Sequence, residues 1–200
     1  VIHNDDTTMK VLELSAESRA QALGTADGAG ERTGVFTSGI VASCQGRRIA
    51  LFFTGPKHAG ENLTDVLRRR GATLGAPIQM CDALSRNVPA ELKTLLANCL
   101  THARRQFVDV IDDFPEECRF LIEALGEVYR TDALARERAL CAEERLRLHR
   151  AESGPVMARI KKWLHTQVHD RRVEPNSGLG AAIAYMRTHW RKLVLFLRVA

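Results

Sequence analysis

Nowhere in this sequence does an apolar run approach the ~20 residues that span a bilayer. No charged-then-apolar leader precedes a small-residue cleavage site either. The visible chain is therefore read as cytosolic, with no membrane partner. Its five cysteines, Cys44, Cys81, Cys99, Cys118 and Cys141, stand far apart and form no CxxC pair. That excludes the common zinc-ribbon and redox motifs and leaves buried free thiols as the expected state. No internal repeat or low-complexity tract is present, so repeat architectures are set aside. Neither half is a basic tail: up to Asn98 there are 11 Lys and Arg against 10 Asp and Glu, and after it 18 against 14.

What is present fits one globular domain with an appendage: 200 residues, 45% hydrophobic and 26% charged. A net charge of +5 favours an anionic partner and is compatible with nucleic acid. The first half alternates short strand-like runs with turns, at Val1 to His3, Met9 to Leu14, Val35 to Ser43, Arg48 to Thr54 and Pro77 to Cys81. Between the second and third of these, Ser15 to Gly34 is rich in Gly, Ala, Thr and Asp and reads as a loop. Glu61 to Arg70 carries Leu63, Val66 and Leu67 at helical spacing, with Gly71 placed to cap it, and reads as a crossover helix.

After about Ala97 the period changes from two to 3.6 and stays helical. Phe114 to Arg130 has Pro115 in its first turn, Glu116 and Glu117 at the positive end of the dipole, and Leu121, Leu125 and Val128 as a stripe. Ser153 with Pro155 restarts a helix on Val156, Ile160, Leu164 and Val168, and its off-stripe Arg159, Lys161 and Lys162 read as a solvated face. Beyond the break at Pro175 to Gly178, Leu179, Ile183, Met186, Trp190, Leu193 and Leu197 form a last stripe, able to pack on its own core or in trans. The expected fold is α/β first, then all α.

Two strand-end carboxylates are the central chemical observation. Asp5 and Asp6 follow the first strand-like run and Asp82 follows the last. If those strands are parallel neighbours, both carboxylates leave the sheet at one edge and can share a divalent cation. The competing reading makes Asp5 and Asp6 the start of a turn and Asp82 a cap. His102, Arg104 and Arg105 stand where a fifth strand passes into a helix, a place to reach a phosphate or orient a metal-bound water. Their alternative is a buried histidine beside a surface arginine pair. His165 and His169 are four apart but lack the Glu of HExxH, so they read as surface histidines. Cys81 and Cys99 have no base near them in sequence and read as core packing.

Several segments resemble, in order, the DDE-type transposases of the insertion sequence 66 family. They are His3-Asn-Asp-Asp-Thr7, Arg32-Thr-Gly-Val-Phe36, Met80-Cys-Asp-Ala83, Cys99-Leu-Thr-His-Ala-Arg-Arg-Gln-Phe107, and Asn176-Ser-Gly-Leu-Gly-Ala-Ala-Ile183 with Trp190 and Phe196-Leu-Arg198. The resemblance implies an RNase H-like mixed sheet over residues 1–112, followed by a helical insertion over 113–200. It makes Asp5 and Asp82 catalytic, metal-binding carboxylates for a two-metal Mg²⁺ site in which Mn²⁺ can substitute. The implied partner is DNA, both element ends and target, with Arg104, Arg105 and His102 as DNA-binding residues. A homo-oligomer is expected in the active assembly, and nucleoid association of a cytoplasmic protein when DNA is bound.

The family's third carboxylate, a Glu, would follow Phe196-Leu-Arg198, so the chain reads as a central fragment ending before it. The residues after Asp82 also lack the aromatic and glycine usual there. Two readings therefore stand side by side. One is DNA strand cleavage and transfer in transposition, the other an inactive remnant that binds DNA or self-associates. A helical interaction module with an incidental α/β half would place Asp5 and Asp82 far apart.

Overall fold

The computed structural model describes residues 1–8, 35–44, 46–71 and 73–200. The expected strand at Met9 to Leu14 and the loop at Ser15 to Gly34 lie outside the described residues. Two compact units share the chain, Val1–Leu96 and Ala97–Ala200.

The first unit holds a mixed sheet of strands β1 (Ile2–Thr8), β2 (Phe36–Cys44), β3 (Arg47–Gly55), β4 (Ile78–Cys81) and β5 (Leu95–Asn98), the last of which leads into the second unit. Their order is β3-β2-β1-β4-β5. β2 pairs antiparallel with β3 from Phe36↔Gly55 to Cys44↔Arg47, and antiparallel with β1 from Ile2↔Ala42 to Thr8↔Phe36. β4 pairs parallel with β1 at Ile2↔Gln79 and His3↔Met80.

β1 runs further than its composition suggests. Asp5 and Asp6 lie inside the strand, opposite Gly39 and Ser38, not in a turn after it. The long ladder with β2 holds them there against the low strand propensity of aspartate.

Helix α1 (Ala59–Arg68) packs on β1 and β2 and buries Leu63 and Leu67 with Ile40. Its start is fixed by His58, whose backbone N–H donates to Glu61 Oε2 at 2.9 Å. Gly60 lets it abut the chain after β4: a Cβ there would stand 2.6 Å from the Arg86 carbonyl oxygen. That close approach seats a 3-10 turn, Ser85–Asn87, beside the sheet edge.

The second unit contains α2 (Leu100–Val108), α3 (Pro115–Glu137), α4 (Ala142–Leu148), α5 (Gly154–His169) and α6 (Gly178–Leu193). Its core joins Phe107 of α2, Leu121, Leu125 and Val128 of α3, Met157, Ile160 and Leu164 of α5, and Leu179, Ile183 and Met186 of α6. The last stripe is thus buried in its own unit. α6 stops at Leu193, and Leu195–Leu197 form a 3-10 turn.

Where the sequence suggests a restart at Ser153, the structure has a π turn, His149–Ser153, that runs straight into α5. The buried His149 opens this turn, its Nδ1 3.0 Å from Ser153 Oγ and its Nε2 3.5 Å from Asp132 Oδ1.

Candidate active site

Adjacent parallel strands bring residues of equal register side by side, ~4.8 Å apart in the sheet, with side chains on the same face. Carrying the β1–β4 register two residues past His3↔Met80 brings Asp5 level with Asp82. Asp5 and Asp82 thus belong to the same end of two neighbouring parallel strands; the turn reading of Asp5 and Asp6 fails, while the bond from the Leu84 N–H to Asp82 Oδ1 is the cap that the competing reading expects.

Their surroundings differ. Asp5 is exposed, and its Oδ1 accepts the Asp6 backbone N–H at 2.9 Å. Its neighbour across the ladder is Gly39, which puts no side chain beside it. Asp82 is half-buried and held: its Oδ1 accepts from Leu84 N at 3.0 Å and from Asn87 Nδ2 at 2.6 Å.

Asn87 is in turn fixed from below. Its carbonyl accepts from Asn4 Nδ2 at 2.7 Å and Gln79 Nε2 at 2.8 Å, and Gln79 Nε2 also lies 2.8 Å from Asn4 Oδ1. All three side chains are buried, so this amide network ties the turn carrying Asn87 to the ends of both strands. Asn87 Oδ1 is buried with no hydrogen-bond partner among the described residues. Sequence reading missed this network. Its one signal was a pair of amides, Asn4 and Gln79, inside otherwise strand-like runs.

Asp6 belongs to the opposite face. Its side chain is 2% exposed, accepts from Ser38 Oγ at 2.7 Å, and lies 3.0 Å from His58 Nδ1. Asn62 Nδ2 donates to Ser38 Oγ at 2.9 Å, and the Phe36 ring packs on His58 with centroids 4.2 Å apart. Asp6 is therefore committed to joining α1 to the sheet, which leaves Asp5 as the carboxylate of this pair that faces outward.

His102, Arg104 and Arg105 lie on α2 in the second unit. His102 and Arg105 are one turn apart on one face. The Nδ1 atom of His102 is buried without a partner among the described residues. Arg104 instead lines a groove of about 790 Å³ with Thr101, Glu123, Glu127, Tyr129 and Arg130. The three do not converge on one point. His165 and His169 are exposed, with rings stacked 5.4 Å apart, and Cys81 is buried and outside any disulfide.

The family model described as Transposase IS66 family matches residues 1–200. The chain belongs to that family. The uncharacterized protein y4jD of Sinorhizobium fredii is 38% identical over 104 residues, a match covering 51% of this chain and 19% of that protein. The chain thus spans about a fifth of that relative's length. No solved structure matches.

DDE transposases use divalent metal ions, and the IS66 chain can be tested for the donors such an ion needs. Hard cations take oxygen ligands. The Asp5 and Asp82 carboxylates are oxygen donors of the kind such an ion takes, so these two residues fit it in chemistry. Among the described residues no group of three His, Cys, Asp or Glu side chains is placed to hold a metal. No helix among them is long and apolar enough to cross a membrane.

Proposed function

We propose that this IS66 chain carries part of an RNase H-like catalytic core, over residues 1–112, with a helical insertion over 113–200, and that it serves DNA strand cleavage and strand transfer in transposition. The observation that carries the reading is the parallel pairing of β1 with β4 at Ile2↔Gln79 and His3↔Met80, which supports Asp5 and Asp82 as carboxylates at the same end of neighbouring strands. The strand order β3-β2-β1-β4-β5, a three-strand meander followed by crossovers, supports the RNase H-like assignment.

Asp5 and Asp82 would hold the metal, Mg²⁺ or Mn²⁺. When bound, divalent ions supply Lewis-acid stabilisation of the transferring phosphoryl group and lower the pKa of an oxygen nucleophile. The chain's own part is positioning. Asn87 and the Leu84 N–H fix the Asp82 carboxylate, and the ladder with β2 fixes the backbone of Asp5. Arg104, Arg105 and His102 are assigned to the DNA backbone, guanidinium groups being suited to bidentate phosphate contacts. The reaction is attack of a water oxygen on a phosphodiester to release a 3′-hydroxyl, which then attacks the target phosphodiester. No covalent protein intermediate is required. The acting species is a cytoplasmic, nucleoid-bound homo-oligomer that pairs two element ends.

A second reading, an inactive remnant that still binds DNA or self-associates, is favoured by the lack of a three-ligand group among the described residues. Incubating the chain with labelled duplex DNA and Mn²⁺ separates the two. Nicking that Asp5→Asn and Asp82→Asn both abolish supports the enzyme, whereas DNA binding without nicking, unchanged by either substitution, supports the remnant.

A further inference from the structure

The charge of the helical unit is unevenly spread. Between Ala97 and Ser153 there are nine Lys and Arg against twelve Asp and Glu, but between Gly154 and Ala200 there are nine against two. Two of those last nine have acidic partners, Arg159 with Glu127 and Arg172 with Asp170. Lys161, Lys162, Arg171, Arg187, Arg191 and Lys192 are exposed and have no ion pair among the described residues.

These cations cluster on two elements. Lys161 and Lys162 are adjacent and exposed on α5, and Arg171 and Arg172 follow its end at His169. On α6, Arg187 and Arg191 are four apart, with Lys192 beside them. Arg171 and Arg187 line one cleft of about 480 Å³ together with Val168, Val173, Ile183 and Glu174. Arg171 reaches it from a left-handed backbone, φ 53°, an uncommon conformation for a non-glycine residue.

Like charges gathered without partners raise the local potential and concentrate an anionic partner. The face carries no exposed Trp or Phe to insert into a lipid surface, Trp163 and Trp190 being half-buried.

We infer that the α5–α6 face is a sequence-independent docking surface for the phosphate backbone of DNA, separate from Arg104 and Arg105. The inference rests on the transposase reading only for the choice of DNA as the polyanion. It revises the reading of Lys161 and Lys162 as merely solvated.

The test uses the whole 200-residue chain and a labelled random-sequence duplex, with anisotropy followed from low to physiological salt. Arg187→Gln/Arg191→Gln/Lys192→Gln is compared with Arg104→Gln/Arg105→Gln, and thermal melting confirms that each variant is folded. The triple variant is expected to weaken binding at least about tenfold at ~0.1 M salt and to reduce the log–log salt slope by about 2 to 3, since each lost phosphate contact removes about 0.9. An unchanged affinity and slope in the triple variant overturns the inference. So does equal binding of wild-type chain to phosphatidylserine vesicles with none to DNA. Mn²⁺ binding at Asp5 and Asp82, measured separately, decides the catalytic reading whichever way the DNA result falls.

Discussion

Replacing Asn87 by alanine separates the metal site from the fold that supports it. The substitution deletes the 2.6 Å bond from Nδ2 to Asp82 Oδ1, a charge-assisted bond worth about 1.5–3 kcal/mol. It also deletes the buried, unpartnered Oδ1, whose desolvation costs about 1–3 kcal/mol in the native state. The bonds that Asn4 and Gln79 donate to the Asn87 carbonyl are backbone contacts and survive. Loss and relief nearly offset, so stability in urea is expected to change by no more than about 2 kcal/mol.

The metal site is not so protected, because Asp82 loses the side-chain donor that orients it. Removing such a supporting partner typically costs about 10–100-fold in metal affinity. The assay is a Mn²⁺ titration followed by the electron paramagnetic resonance of the free ion, with Asp5→Asn and Asp82→Asn as limits of abolished binding. Affinity within about twofold of wild type in a folded Asn87→Ala protein would show that Asn87 does not position a metal ligand.

Other substitutions probe the frame around the site. Asp6→Ala leaves Ser38 and His58 without their buried carboxylate and is expected to cost about 3 kcal/mol by urea denaturation; a cost under about 1 kcal/mol would remove Asp6 from the joint between α1 and the sheet. In the helical unit, the Asp132 carboxyl titrates below its ordinary 3.8, chiefly through its hydrogen bond with His149 and then through the charges of Arg145 and Arg136. Its stabilisation is therefore fully present above pH 3.8 and lost as pH falls through the depressed value. Asp132→Asn is expected to lower stability by about 1 kcal/mol at pH 7 and to flatten the acid dependence, and an unaltered acid limb would contradict this. Gly180→Ala places a Cβ 2.5 Å from the Pro175 carbonyl oxygen and against that of Glu174, so the melting temperature should fall with a loss of about 1–3 kcal/mol, whereas an unchanged melting point would mean that the loop yields freely.

Periodicity made much of the fold legible. β2, β3 and β4 fall where β-branched and aromatic residues cluster, and α3, α5 and α6 follow their apolar stripes, because burial on one face dictates those patterns. It failed where tertiary pairing overrides local preference: β1 extends through Asp5 and Asp6 because β2 supplies a partner for every residue to Thr8. The π turn at His149–Ser153 was hidden, since the His149 contacts with Ser153 and Asp132 found there carry no change of period. Within the site, Asp5 and Asp82 stood out as carboxylates beside strand-like runs. Asn4, Gln79 and Asn87 did not, because their bonds join residues as much as 83 positions apart and amides inside strands carry no local pattern. Asp5 rather than Asp6 came from the resemblance, and the pleat, which turns adjacent side chains to opposite faces, sets the exposed Asp5 apart from the buried Asp6 carboxylate.

The most direct test of the central claim is a crystal structure of the chain soaked with Mn²⁺, recorded with anomalous scattering. The account predicts density shared by the Asp5 and Asp82 carboxylates, with one oxygen of each at a hard-cation distance of about 2.0–2.6 Å. Carboxylates more than about 10 Å apart, with no anomalous density between them, would contradict it.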